Sequence, residues 1–440
     1  MFLQSHLEQK KKNKKKYQEP KNLNISPLNT NTNFKLTNFG KIYKNGEYEI
    51  EIFSKLNKKY LISSFIPSQK ITEKSLKTNN IENRRENTTE GTQLSPSDFE
   101  FEKVIGKSYY GKIMQVRCKK DNQTYSIKTL KKSKLKDEKY VEHIEAERTI
   151  LENIHHPFIS RLVYAFQTEK KLYLVTELYK GGDLLFHLNK QGHFSEKTAK
   201  FFFAQIILLF EFLHSKNIIY RNLSPENVLL DNEGYIKLND FSTSRINIEE
   251  YNNGTNTFCG LPEYCSPEMI NGTSYGKCVD IWCMGILLFE MLFGETPFKD
   301  MNRDKLYKKI IFNTPDYTTN NVSVSYSAIE LINKMLEKNA ENRFTLQDIK
   351  KHSFMEGVDY GKIYQKLEIS PLKINEQGLN DFEYIDPEIM EEKAEDSLPN
   401  GCTPIFKKHF EDFTFSCDEF NGKNETPEDD IRNEKKTIEL

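Results

Sequence analysis

The spacing of apolar and polar residues changes along the chain. From Phe99 the runs Phe99–Ile105, Lys112–Cys118 and Gln123–Leu130 read as strands. A helical segment is predicted at Lys139–Glu152. Two more strands follow at Leu162–Gln167 and Lys171–Leu178. Beyond Gly181-Gly182 the pattern is mostly helical, with buried-looking helices at Glu196–His214 and Asp280–Phe293. A small β-rich half followed by a large α-rich half predicts an α+β chain with two lobes and a cleft between them.

The flanks are different in kind. Residues 1–33 are rich in Lys, Asn and Gln, and Lys10–Lys16 reads KKKNKKK. This is the composition of a solvated disordered head, or of a nuclear-import or acidic-lipid patch. Residues 34–66 show short strand-like runs around Asn45-Gly46, a good type I′ turn. They resemble a fragment of a small lipid-binding β domain. Residues 67–98 read as a polar linker, and residues 417–440 as a disordered acidic end.

A chain of 440 residues is too long for one typical domain. Its 63 basic and 64 acidic residues nearly cancel, which argues against a nucleic-acid coat. The balance hides an asymmetry. Residues 1–60 hold 13 Lys/Arg against 5 Asp/Glu, and residues 378–440 hold 7 against 18, so a basic head and an acidic tail flank a mixed middle. The apolar stretches Phe201–Leu213 and Ile281–Gly294 are shorter than the roughly 18–20 residues of a membrane span. The N-terminus has no apolar core of signal-peptide length. Seven cysteines without a CxxC pair read as reduced thiols. A cytoplasmic location is expected, with nuclear or peripheral membrane placement as alternatives.

Chemistry concentrates in the middle. Ile105-Gly106-Lys107-Ser108-Tyr109-Tyr110-Gly111-Lys112-Ile113 lies between two strands, where glycines let backbone N–H groups approach phosphates; a plain turn has the same spacing. Lys128 on the next strand and Glu147 on the following helix can form an ion pair aimed at a polyphosphate, or an ordinary surface pair. Further on come Tyr220-Arg221-Asn222-Leu223-Ser224-Pro225-Glu226-Asn227, Asp240-Phe241-Ser242, Phe258–Glu268, Asp280–Gly285 and Arg343.

This ordered set resembles the eukaryotic protein-kinase fold over about residues 99–354. Thr257-Phe258-Cys259-Gly260 is similar to the activation segment of AGC-group serine/threonine kinases. In a tail over 355–416, Asp386-Pro387-Glu388, Thr403-Pro404 and Phe410-Glu411-Asp412-Phe413-Thr414-Phe415 resemble that group's cleft-crossing, turn and hydrophobic motifs. The resemblance implies a bilobal kinase fold and an ATP–Mg²⁺ site. Ile105, Gly106, Ser108, Gly111, Ile113, Ser126, Lys128, Glu177, Tyr179, Asp183, Asn227, Leu229 and Asp240 would line it, with Thr176 as gatekeeper and Asn227 and Asp240 as metal ligands. Glu147 would hold Lys128.

Three departures fall on one constellation. Asn222 stands where the family has the catalytic-loop Asp, and a neutral carboxamide is no base near pH 7. Ser224 replaces the Lys that steadies the transferred group. Leu261 replaces the Thr that ties the two together. Softer changes are Ser108, Ser126 and Ser242 at family Gly, Ala and Gly positions, and Ile385 at a Phe position. The expectation is therefore an ATP-binding but catalytically impaired chain, a pseudokinase acting as a regulated scaffold or binding module. The alternative is an active or weakly active serine/threonine kinase.

The resemblance also implies regulation and partners. Thr257 would be phosphorylated by an upstream kinase and gripped by Arg221, Arg245 and His143. Phe410 and Phe413 would dock on the small lobe, with Thr403 and Thr414 as further phosphorylation sites. Asp183, Glu226 and Glu290 match positions that bind a basic peptide. Acidic lipid is a further expected partner for residues 1–66.

Overall fold

The computed structural model describes residues 94–108, 111–135, 138–318, 320, 322–374, 384–385, 387–396, 410 and 413–417. Contacts divide the chain after Arg84, and every described residue belongs to the second unit. The predicted head, the segment 34–66, most of the linker, Thr403, Asp386 and the acidic end beyond Cys417 lie outside the described residues.

The β-rich half is a six-stranded sheet. Strands β1 (Phe99–Lys107), β2 (Lys112–Cys118), β3 (Thr124–Lys131), β4 (Leu162–Gln167), β5 (Lys171–Glu177) and β8 (Phe415–Ser416) run in the order β1-β2-β3-β5-β4-β8. All neighbouring pairs are antiparallel. Their alternation buries Val104, Met114, Val116, Ile127, Val175 and Phe166 in one cluster. Helix α1 (Glu138–Asn153) covers the other face through Val141, Ile144, Ile150 and Leu151, which spaces its apolar residues at three and four. Leu94, read as linker, packs against the sheet cluster, and the Lys119 ammonium holds the Ser97 carbonyl at 2.8 Å.

The hinge leads to α2 (Leu184–Gln191) and α3 (Glu196–Ser215). Ser195 caps α3 by accepting from the Thr198 amide at 3.2 Å. Helix α3 corrects the sequence reading. Counting only Phe201–Leu213 fell short of a span, yet the whole 20-residue helix is long and apolar enough to cross a membrane by length and composition. Most of it is buried inside the chain, with Phe202, Ile206, Phe210 and Leu213 in the core. Its apolarity serves packing.

The hairpin β6 (Val228–Leu230) and β7 (Ile236–Leu238) forms the floor of the cleft. Helix α4 (Cys278–Phe293) is buried almost throughout and packs on α3 and on α5 (Tyr326–Met335). Near its start the Arg343 guanidinium grips Glu268 in a fork, 2.7 Å to Oε1 and 3.0 Å to Oε2. Its remaining donors reach the carbonyls of Cys278 and Glu337, both at 3.0 Å. Burial opposes the Glu268 charge, but Arg343 outweighs it and holds the carboxyl below its usual range.

Removing one partner leaves the other charge buried and alone. Arg343→Met is expected to cost about 3–5 kcal/mol in urea unfolding, and Glu268→Met/Arg343→Met less than Arg343→Met alone.

Candidate active site

The loop between β1 and β2 is a tight hairpin. The Ser108 amide donates to the Gly111 carbonyl at 2.9 Å, and the Gly111 amide donates back to the Ser108 carbonyl at 3.3 Å and hydroxyl at 3.1 Å. Ser108, which takes a family Gly position, thus closes the turn. Gly111 has no substitute, because a Cβ there would lie 1.9 Å from the Thr129 carbonyl. Gly106 is not crowded in this way; its nearest neighbour would be Ile113 at 3.5 Å.

β3 and α1 bring Lys128 and Glu147 together across nineteen residues. The Lys128 ammonium lies 2.7 and 3.0 Å from the two Glu147 oxygens and 2.9 Å from Asp240 Oδ1. Burial works against the Lys128 charge, but Asp240 and Glu147 raise its pKa above the ordinary lysine value. Burial pushes Glu147 up despite Lys128, with the Asp240 charge adding to it. Asp240 stays below its usual value, since Lys128 and bonds from Ser242 outweigh burial. One ammonium is thus shared by two carboxylates, and the cluster carries surplus negative charge.

That surplus suits a hard cation bound through oxygen. Asn227 donates its amide to the Asn222 carbonyl at 2.8 Å, so its carboxamide oxygen would be the atom to meet a metal. These residues fit Mg²⁺ with a nucleotide polyphosphate. Ser126 and Thr176 are paired across β3 and β5, and Ile113 and Leu229 are half-buried.

The hinge carries unforeseen contacts. The Tyr179 hydroxyl donates to Glu177 at 2.8 Å and accepts from the Arg161 amide at 3.3 Å. From the tail, the Tyr384 hydroxyl donates to the Tyr179 carbonyl at 3.3 Å. Tyr384 lies against Gly182, whose φ of 76° and 3.1 Å clearance exclude a side chain. Ile385 beside it is buried. Asp183 caps α2 through the Phe186 amide at 2.7 Å, and burial lifts its carboxyl to about 6.

At the catalytic loop, Asn222 is tied to the metal-ligand position. Its amide donates to Asp240 Oδ2 at 3.1 Å and to the Asp240 carbonyl at 3.3 Å. An Asp here would put two carboxylates in contact; the Asn supplies a donor instead. Ser224 is 1% exposed, and its hydroxyl has no hydrogen-bond partner among the described residues. Leu261 is 38% exposed, so its side chain ties nothing together.

The activation segment is held by Arg221 and Tyr275. Arg221 is buried at φ 63° and spends its guanidinium on the Thr243 carbonyl at 2.8 Å and the Tyr275 hydroxyl at 3.0 Å. It reaches Thr257 through Tyr275, whose hydroxyl donates to the Thr257 carbonyl. A buried guanidinium needs acceptors, and here it takes these. Arg245 is exposed and pairs with Ile219 through its backbone; His143 is half-buried on α1. The Thr257 hydroxyl lies 3.3 Å from that of Thr255.

Phe410 and Phe413 are each 2% exposed. Their rings meet edge-on at 5.8 Å, under the cations of Lys132 and Arg148. Arg148 on α1 donates to the Phe413 carbonyl at 3.1 Å. Next to them β8 extends the sheet, and Thr414 is exposed. The tail therefore bears on the helix that carries Glu147.

Two lobes around a cleft with a strand lysine, a helix glutamate and a loop aspartate at bonding distance define a protein-kinase site. The protein kinase domain family matches residues 99–355, and this chain belongs to that family. It is 40% identical over 314 residues to serine/threonine-protein kinase Sgk1 of Fundulus heteroclitus, spanning 70% of this chain and 72% of the relative. It is 37% identical over 326 residues to a RAC family serine/threonine-protein kinase homolog of Dictyostelium discoideum, spanning 73% of each. Over 314 residues it is 38% identical to Sgk2 of Homo sapiens, covering 84% of it. These relatives are of the AGC group.

Burial lifts Glu290 to about 7, while the Tyr264 hydroxyl donates to it. A folded value above the ordinary 4.5 gives a stability contribution that is full below about 4.5 and lost as pH rises towards 7. Glu290→Gln cannot ionise. Its urea stability relative to the native chain is expected to rise by about 1–3 kcal/mol between about pH 5 and pH 8.

Proposed function

We propose that this chain is an AGC-type serine/threonine protein kinase that binds Mg-ATP and phosphorylates hydroxyls in basic peptides, at a rate held down by Asn222, Ser224 and Leu261. The observation that carries this reading is the closed Lys128–Glu147–Asp240 cluster. Its surplus negative charge is organised for a metal-bound polyphosphate, and its relatives are named serine/threonine kinases.

Bound Mg²⁺ would neutralise the phosphate charge. Lys128 would orient the nucleotide, and Glu147 would fix Lys128. Asn222 would position the acceptor hydroxyl without taking its proton. Loss of a positioned base typically costs about 10²–10⁴-fold, and loss of a charge stabiliser a similar factor, non-additively. Asp183, Glu226 and Glu290 would receive the arginines of the peptide. An Arg at Glu290 favours its ionised form, so peptide affinity should increase as pH rises through about 7.

A second reading, a nucleotide-binding scaffold without transfer, is favoured by one observation. Asn222 is spent on Asp240, and Ser224 is sealed from solvent, so neither faces a substrate as its family counterpart would.

The test is transfer of labelled γ-phosphate from ATP to an Arg-containing peptide by the full chain. Transfer should exceed that of Lys128→Met, and Asn222→Asp/Ser224→Lys/Leu261→Thr should raise kcat by about 10²–10⁴-fold. Native chain equal to Lys128→Met, with the triple variant active, would leave the scaffold reading.

A further inference from the structure

Beside the hinge lies a polar groove of about 460 Å³ that shares only Glu177 and Tyr179 with the expected nucleotide lining. Its walls include Glu177 and Tyr179 of the hinge, Asp231 and Glu233 of the β6–β7 turn, Lys237 of β7 and Lys366 of the tail. Lys128, Asn227 and Asp240 are not part of it.

The bonding state of each wall group decides what the groove takes. Asp231 uses both oxygens: Oδ1 accepts from the amides of Glu233 and Tyr235, and Oδ2 holds Lys366 at 2.6 Å. Glu177 accepts from the Tyr179 hydroxyl and faces Arg161 at 3.9 Å. Glu233 is largely exposed and lies 3.7 Å from Lys366.

Lys237 is the exception. Among the described residues its ammonium makes no hydrogen bond and no ion pair; its contact is with the face of the Tyr179 ring, 5.3 Å from the centroid. The three donors of a half-buried ammonium are left to water or to a ligand. Burial first, then the charge of Lys366, depress the Lys237 pKa; Glu177 and Asp231 oppose this, Arg161 adds to it, and the depression wins. Asp231 is committed to Lys366 and two amides, Glu177 to Tyr179, and Glu233 faces Lys366 at 3.7 Å, so the group left to meet a ligand is the Lys237 ammonium, which takes an acceptor.

We propose that the hinge groove is a binding site for a small organic oxyanion, a carboxylate or a phosphate monoester, with Lys237 as its charged anchor. The groove is open to solvent and has room for a molecule larger than inorganic phosphate. The site is independent of phosphoryl transfer and stands whichever way that reading falls. Its consequence is local to Tyr179, which Lys237 touches through the ring and the tail touches through the carbonyl.

The test uses the full chain, with citrate and glycerol 2-phosphate as probes and potassium chloride at matched ionic strength as the control. Labelling of Lys237 by an amine-acetylating reagent is followed by mass spectrometry. At about ten times its dissociation constant, a bound anion should slow labelling of Lys237 by about tenfold, with the chloride control unchanged. Equilibrium dialysis with the labelled anion should give binding to the native chain and to Lys237→Arg, and loss of binding to Lys237→Met. Saturating Mg-ATP should leave the anion bound. The proposal is overturned if neither anion protects Lys237 beyond chloride, if Lys237→Met binds as well as the native chain, or if Mg-ATP displaces the anion and so assigns the groove to the nucleotide cleft.

Discussion

The Asp280 carboxylate is wholly buried and accepts from three places at once. The Tyr220 amide reaches it at 3.1 Å, the Arg221 amide at 2.9 Å and the His214 ring at 2.8 Å. This one group, at the start of the most buried helix, holds the backbone that presents Arg221 and Asn222. Arg221 sits there at positive φ, a conformation that a non-glycine residue adopts only when its surroundings impose it. The helix itself is held at its N-terminal end by the Arg343–Glu268 fork.

Charge explains why the cleft tolerates an altered catalytic loop. Asp240, Glu147 and Lys128 already form a cluster short of one positive charge. A carboxylate at position 222 would add to the deficit, and Asn222 relieves it by donating to Asp240. Asn222 thus adds a donor to the nucleotide side of the cleft where a carboxylate would add charge. Ser224 has no such compensation, since its buried hydroxyl finds no partner among the described residues. The two changes have opposite local energetics although they fall on one functional unit.

The tail acts on the cleft from two sides. Tyr384 reaches the hinge carbonyl, and Phe413 is held by Arg148, one residue after Glu147. Between them Asp396 bonds Lys171 and the Tyr173 hydroxyl on β5. A buried lysine paired with a tail carboxylate ties this segment to the sheet.

Much of this was legible in the residue order. Strand and helix periods placed the sheet, α1, α3 and α4 to within about two residues, because burial on one face imposes those periods. The Lys128–Glu147 pair and the Asn222 departure were readable because the motifs are local and ordered. Tertiary structure alone decided the rest. It routed Arg221 to Tyr275, since a buried guanidinium takes whichever acceptors the fold brings near. It turned the Tyr179 side chain onto Arg161 and Glu177, and set Lys237 over the Tyr179 ring. It made the apolar α3 a core helix. Residue types and spacing determine which chemistry is available along the chain; which donors find acceptors depends on long-range packing, and no local pattern encodes that.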